Sequence, residues 1–91
     1  MLVDLNTMVD VPDLVQNGNI TVYANTFTNI TYATFYQSTV TINPTLQVSI
    51  LNAQAGDYIN VISQSITGFT IQCYNNNTPV TRTISWLAVG Y

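Results

Sequence analysis

The stretch from Thr67 to Tyr74, TGFTIQCY in one-letter code, alternates between apolar and polar side chains. Phe69, Ile71 and Cys73 fall on one face of an extended chain, and the residues between them fall on the other. Alternation with a period of two is typical of a strand that is buried on one face. The Thr67-Gly68 pair is a turn signal that leads into this strand. The stretch therefore predicts a half-buried β-strand.

The same period recurs on both sides of this stretch. The predicted strands are Phe27–Tyr32, Leu46–Ile50, Tyr58–Ser63 and, downstream, Thr81–Ala88. They are separated by turn signals, among them Ala55-Gly56-Asp57 and the loop Asn75–Pro79. Short strands that recur about every 10–12 residues indicate an antiparallel sandwich or barrel. The fold class is therefore predicted to be all-β.

The first residues follow a different pattern. From Met1 to about Val15, apolar side chains fall at Leu2, Leu5, Met8, Val9 and Val11. This spacing is helix-like until Pro12 stops it. The stretch Asn17-Gly18-Asn19 then indicates a turn. We expect residues 1–18 to form an N-terminal arm or attachment segment and residues 19–91 to form the sandwich. The arm either packs on the domain or a partner, or joins several chains in a short helical bundle.

Charged side chains are nearly absent. The 91 residues contain one Arg, four Asp and no Lys, Glu or His, while 47% of the residues are hydrophobic. This composition argues against disorder, and one arginine cannot neutralise the phosphates of a nucleic acid. No apolar run is long enough to predict membrane insertion. The N-terminus lacks the basic region of a signal peptide, which favours synthesis in a cytoplasm or trimming from a longer parent.

Catalysis and metal binding lack their usual residues. No His, Glu or Lys is present to act as a base, so the many Ser and Thr hydroxyls have no activating partner. The single Cys73 cannot form a zinc cluster, and no calcium loop or phosphate-binding glycine loop occurs. We predict a protein that is not an enzyme and that needs no metal or cofactor. Cys73 is interpreted as a core residue, with an intermolecular disulfide as the alternative.

The remaining distinctive side chains are one cation and the aromatic residues. Arg82 shares a strand face with Ile84 and Trp86, so it needs a partner. An ion pair with an aspartate is favoured over ligand contact or solvent exposure. Phe69 and Trp86 are predicted to lie in the core, and the surface or an interface is expected to hold Tyr58, Tyr74 and Tyr91. The net charge of −3 offers little repulsion between copies, which favours self-association.

Several of these segments together resemble a known family. The turn Thr67-Gly68-Phe69, the strand ending at Cys73-Tyr74, an Asn-rich loop and the ending Ile84–Ala88 are similar to the H-type lectins, the snail agglutinin family. With the upstream strands, the resemblance covers roughly residues 27–91. The closing stretch Trp86–Gly90 also resembles modules that end phage tail-fibre proteins.

The resemblance implies a six-stranded antiparallel β-sandwich that assembles as a homotrimer and binds sugars in clefts between protomers. Asn60 stands where the family has a sugar-contacting arginine, and a slightly shorter Asn-rich loop replaces its Trp-His pair. Cys73 matches a disulfide-bonded cysteine whose N-terminal partner is missing here. Asn amides bind sugar hydroxyls and Tyr74 can stack on a pyranose, although Asn-rich loops are also ordinary turns. The candidate ligand-binding residues are Asn60, Tyr74, Asn75, Asn76 and Asn77.

We therefore expect a non-enzymatic receptor- or glycan-binding module of a phage or virion appendage. It would act as a homotrimer, made in the host cytoplasm, whose arm attaches it to other virion or tail proteins. Two alternatives remain open. One is a purely structural trimeric decoration or connector of the particle that binds no sugar. The other is a secreted defence lectin, which would require a signal peptide upstream of Met1.

Overall fold

The computed structural model describes residues 14–37 and 43–91, and within them it contains strands and turns but no helix. The all-β prediction is confirmed. The predicted strands correspond to five of the observed ones. The strands are β1 Leu14–Val22, β2 Thr28–Thr31, β3 Thr45–Ile50, β4 Asp57–Gln64, β5 Gly68–Asn75, β6 Thr78–Pro79 and β7 Arg82–Gly90.

These strands form two antiparallel sheets. One sheet has the order β1-β7-β3, and the other has the order β2-β5-β4, with β6 pairing with the end of β5. The inner faces of the two sheets pack on each other in a sandwich-like arrangement. Trp86 contacts Phe69 edge-on at 5.5 Å between ring centroids, and Tyr32 packs against both rings. The buried core contains Val22, Ile30, Tyr32, Tyr36, Phe69, Ile71, Cys73, Ile84 and Ala88.

The prediction of a turn at Asn17-Gly18-Asn19 was wrong, because these residues lie in the middle of β1. Nine residues of β1 pair with β7, and Gly18 lies directly opposite Trp86. A Cβ atom at Gly18 would come within 3.0 Å of the Trp86 Nε1. The glycine makes room for an indole ring rather than for a change of chain direction.

The beginning of β1 bears on the expected arm of residues 1–18. Residues 14–18 belong to β1. The expected boundary between residues 18 and 19 falls inside β1. The remainder of the predicted arm, residues 1–13, lies outside the described residues.

The strand directions give the molecule two distinct ends. Leu14 pairs with Gly90 at the end that we call proximal, and Val22 pairs with Arg82 at the distal end. The distal end carries the connections 23–27, 51–56 and 76–77. At the proximal end the Tyr36 N–H donates to the Ile66 carbonyl (3.0 Å), and the Gln37 N–H donates to the Tyr91 carbonyl (2.7 Å).

Three core side chains carry polar atoms. Cys73 is fully buried with a free thiol, as predicted for a core residue, and burial raises the pKa of that thiol. The rings of Tyr32 and Tyr36 pack edge to face at 5.3 Å. Their hydroxyl groups are buried, and neither has a hydrogen-bond partner among the described residues.

Candidate functional site

Neutral polar and aromatic side chains cover the outer face of the sheet β2-β5-β4. Because side chains alternate along a strand, the residues that do not face the core project from this outer face. Cross-strand register places Tyr58 opposite Tyr74 and Asn60 opposite Gln72. Further towards the proximal end, the face continues with Ser63, Thr70, Asn29 and Thr31. None of these side chains is charged.

The distal part of this face is a stacked pair of tyrosines. The rings of Tyr58 and Tyr74 have centroids 5.3 Å apart and an interplanar angle of 14°. The Tyr58 hydroxyl donates a hydrogen bond to the Asn77 Oδ1 at 3.0 Å. Tyr58 remains 43% exposed. An apolar ring beside a polar amide is thus available to a ligand that has both C–H surfaces and hydroxyl groups.

The Asn-rich loop is a two-residue hairpin turn between β5 and β6. Asn76 and Asn77 have φ angles of 49° and 70°, which are those of a type I′ turn, and Asn tolerates this conformation. The Asn76 N–H donates to the Gly56 carbonyl at 3.2 Å. The turn conformation fixes the position from which the Asn77 side chain reaches Tyr58.

The structure brings together some of the predicted site residues and separates another. Asn60 and Tyr74 share the outer face, and Asn77 contacts it through Tyr58, while Asn76 lies exposed in the turn. Asn75 instead donates to the Ala55 carbonyl at 2.9 Å and to the Asp57 Oδ1 at 2.8 Å.

The prediction omitted Tyr58 from the site. It placed this residue only at the surface or an interface. The signal that identifies it is its position opposite Tyr74, which requires the register between β4 and β5.

The ion pair that we predicted for Arg82 is confirmed, and its partner is Asp57. The guanidinium donates from Nε at 2.9 Å and from Nη2 at 3.1 Å, and the Asp57 side chain is 1% exposed. Asp57 also accepts hydrogen bonds from the Gln54 N–H and from Asn75. The hydrogen bonds from Arg82 hold the pKa of Asp57 far below its ordinary value, and Asp57 in turn raises the pKa of Arg82.

This pair accounts for every charged side chain in residues 14–37 and 43–91. Each charge therefore has its counter-charge within the same molecule. The chemistry that the described surface offers to a ligand consists of neutral hydrogen bonds and apolar contacts.

A cavity of about 380 Å³ lies at the proximal part of the outer face. Gly68 lines it where β5 comes close to β2, and a Cβ atom at Gly68 would overlap the Ile30 carbonyl oxygen. Its walls are hydroxyl and amide side chains that include Ser63, Thr31 and Asn29. The Thr70 hydroxyl donates to the Asn29 Oδ1 at 2.6 Å. We call this cavity the Gly68 basin.

One loop stands beside the outer face. Gln72 is buried there, and its amide donates to the Tyr23 carbonyl at 3.2 Å and to the Ala24 carbonyl at 3.3 Å. These bonds hold the connection 23–27 against the sheet. Tyr23 and Phe27 on this connection are each 56% exposed, and neither was among the predicted site residues.

The described part of the chain contains no helix that is long and apolar enough to cross a membrane. Within the same residues, no three His, Cys, Asp or Glu side chains are grouped as metal ligands would be. The sequence matches no protein-family model and no curated protein.

Proposed function

We propose that the protein is a non-enzymatic glycan-binding module for host attachment in a phage or virion appendage, acting as a homotrimer. The observation that carries the proposal is the stacked pair Tyr58–Tyr74 with the Asn77 amide hydrogen-bonded to it. Asn60 follows Tyr58 by two residues on β4 and therefore projects from the same face. A pyranose has apolar C–H surfaces and equatorial hydroxyls, which match an exposed aromatic ring and neutral amides.

The location of the tyrosine pair supports a role at the tip of an appendage. Both tyrosines lie at the distal end, one strand length from the Leu14–Gly90 pair. The nine residues of β1 span about 27 Å, so the tyrosines lie roughly that far from the start of β1. A segment that precedes Leu14 could therefore attach to other virion proteins without covering the site.

The proposal includes a six-stranded sandwich that assembles as a trimer, because the resemblance to the H-type lectins implies both. Val15 is 56% exposed on the outer face of β1-β7-β3, opposite Val89, and would be covered by association between copies. Three sites that face the same direction would raise a weak single-site affinity through avidity.

A structural connector without sugar binding is the second candidate function. It is favoured by the number of large apolar side chains that the described residues expose, namely Val15, Tyr23, Phe27, Phe35, Leu51, Tyr58 and Ile62. Exposed apolar side chains of this kind are typical of protein contacts when they form a continuous patch.

A glycan array, with two substitutions, tests the proposal. We expect the native protein to be retained by a subset of glycans. The double variant Asn60→Ala/Asn77→Gly should lose that retention, because glycine keeps the positive φ of the turn while the amide is removed. Asn52→Gly is the matched control, since Asn52 also has a positive φ but lies in another loop.

Two outcomes would count against the proposal. A silent array with an intact oligomer would favour the connector. Unchanged retention in the double variant would place the sugar elsewhere on the molecule.

A further inference from the structure

The tyrosine pair and the Gly68 basin lie on the same outer face and on the same strands. Between Tyr74 and Thr70 the chain of β5 rises four residues, or about 13 Å. This distance is longer than one pyranose, so a single sugar cannot occupy both places. Asn60 lies between them, and Ser63 forms the near wall of the basin.

The outer-face surface from the Tyr58–Tyr74 pair to the Gly68 basin, which we call the track, also has features of a binding site. β4 has a bulge at Ile62, which lies between register pairs and is 41% exposed. Bulges change the direction of a strand and are common beside binding sites. The connection 23–27, which the Gln72 amide holds in place, stands beside the track on the β2 side. The outer face therefore carries the Tyr58–Tyr74 pair at its distal end, the Asn60 amide in the middle and the hydroxyl-lined Gly68 basin at its proximal end.

The charge of the track limits its ligands. Every outer-face side chain from Tyr58 to Thr31 is neutral, and the nearest charges are the Asp57 and Arg82 groups that bind each other. An acidic sugar would lose hydration on this face without gaining a cationic partner. A neutral sugar exchanges hydrogen bonds with water for hydrogen bonds with hydroxyls and amides.

From this placement we propose that the outer face binds a linear, neutral oligosaccharide along the strands. One sugar stacks at Tyr58 and Tyr74, and another, further along the same glycan, places its hydroxyls in the Gly68 basin. The inference rests on the proposed glycan-binding function. It adds that the ligand is a stretch of several linked sugars rather than a single terminal sugar.

The test measures affinity against chain length by isothermal titration calorimetry. The probes are mono-, di-, tetra- and hexasaccharides of the neutral glycan that the array retains best, with sialylated and sulfated glycans for comparison. The affinity of the native protein should rise about tenfold from the disaccharide to the hexasaccharide, and the acidic glycans should gain nothing.

Two substitutions locate the second contact. Ser63→Tyr fills the basin and should abolish the rise with chain length while leaving the disaccharide affinity unchanged. Ala53→Tyr is the control, because Ala53 is exposed in the connection 51–56 and does not line the basin. Thr70→Val changes the shape little but removes the hydrogen bond to Asn29, and should weaken only the longer ligands.

Failure of this inference is distinguishable from failure of the proposed function. A silent array contradicts both. Full affinity with a mono- or disaccharide, retention of acidic glycans alone, or an unchanged length dependence in Ser63→Tyr would overturn the extended track and leave glycan binding intact.

Discussion

Gly18 has no side chain, and this leaves space for the Trp86 indole in the core. The Trp86 indole occupies the space over Gly18, so a larger residue there must displace the ring. We expect Gly18→Val to lower the free energy of unfolding by about 1–3 kcal/mol, although valine favours strands more than glycine does. Urea denaturation followed by Trp fluorescence measures this loss.

Asn17→Val is the control for that substitution. Asn17 is the exposed neighbour on the opposite face of β1, so its replacement also raises the strand propensity without crowding the indole. Equal stability of Gly18→Val and Asn17→Val would show that the indole does not depend on the glycine.

The pKa of Asp57 predicts a specific response to acid. Hydrogen bonds, first of all from Arg82, lower this pKa in the folded protein. A carboxylate of this kind stabilises the fold fully above its ordinary pKa of about 3.9, and the contribution is lost as the pH falls towards the lower folded value. We expect Asp57→Asn to have a lower Tm at neutral pH but a smaller decrease in Tm on acidification. Calorimetry across this range measures both effects, and parallel Tm curves would contradict the interpretation.

The raised pKa of Tyr32 predicts that the stability of the fold changes at alkaline pH. Burial, together with the neighbouring Tyr36, raises the pKa of Tyr32 to about 12. The neutral phenol is therefore favoured in the folded state, and its contribution is present below the ordinary pKa of about 10 and is lost as the pH rises from there towards 12.

We expect Tyr32→Phe to retain the neutral-pH stability within about 1 kcal/mol, because the hydroxyl has no partner among the described residues. The variant should also resist alkaline unfolding better than the native protein. Denaturation at neutral and alkaline pH tests both statements. A large loss at neutral pH would show that the hydroxyl makes a stabilising contact.

At the scale of elements, the β5–β6 hairpin combines a turn with a contact to the candidate site. A β-branched residue is strained at the positive φ of Asn77, whereas glycine is not. We expect Asn77→Val to lower the free energy of unfolding by about 1–3 kcal/mol and Asn77→Gly to leave it nearly unchanged. Denaturation curves of the two variants measure the difference. Equal stability would show that the turn does not limit the hairpin.

Five strands, β2, β3, β4, β5 and β7, could be predicted from the alternation of side chains, because alternation is a local property of the sequence. β1 was missed because a glycine between two asparagines has the composition of a turn, and its true role depends on a tryptophan 68 positions away. β6 was missed because two residues carry no period.

The candidate site was predictable where the chemistry of single residues was sufficient. Asn60 is a candidate because it stands where the resembled lectins have a sugar-contacting arginine, and Tyr74 is one because its ring can stack on a pyranose. Tyr58 becomes a candidate only from the register between two strands. Asn75 has the same parity as Phe69, Ile71 and Cys73, and the alternation of β5 alone therefore places it on the inner side. Asn75 is a candidate only through the resemblance to the H-type lectins.

At the scale of the whole molecule, the distribution of charge predicts how copies associate. The described residues hold one cation and one anion, which bind each other, and the other aspartates are Asp4, Asp10 and Asp13. Contacts between described surfaces would therefore be insensitive to ionic strength. We expect light scattering to give the mass of a trimer in both low and high salt. A monomer at micromolar concentration would overturn the trimer, and dissociation in high salt would show that ionic contacts hold it.

The antiparallel pairing of β1 with β7 has a mechanical consequence. A particle anchored through the start of β1 and a cell surface held at the distal end would pull along the strand axis. The hydrogen bonds between the two strands lie across that axis, so all nine register positions would resist sliding together. If the same pair were pulled apart at Leu14 and Gly90, the bonds would instead open one after another. The tyrosine pair lies at the distal end, so the proposed attachment through the start of β1 would load the two strands in the first of these geometries.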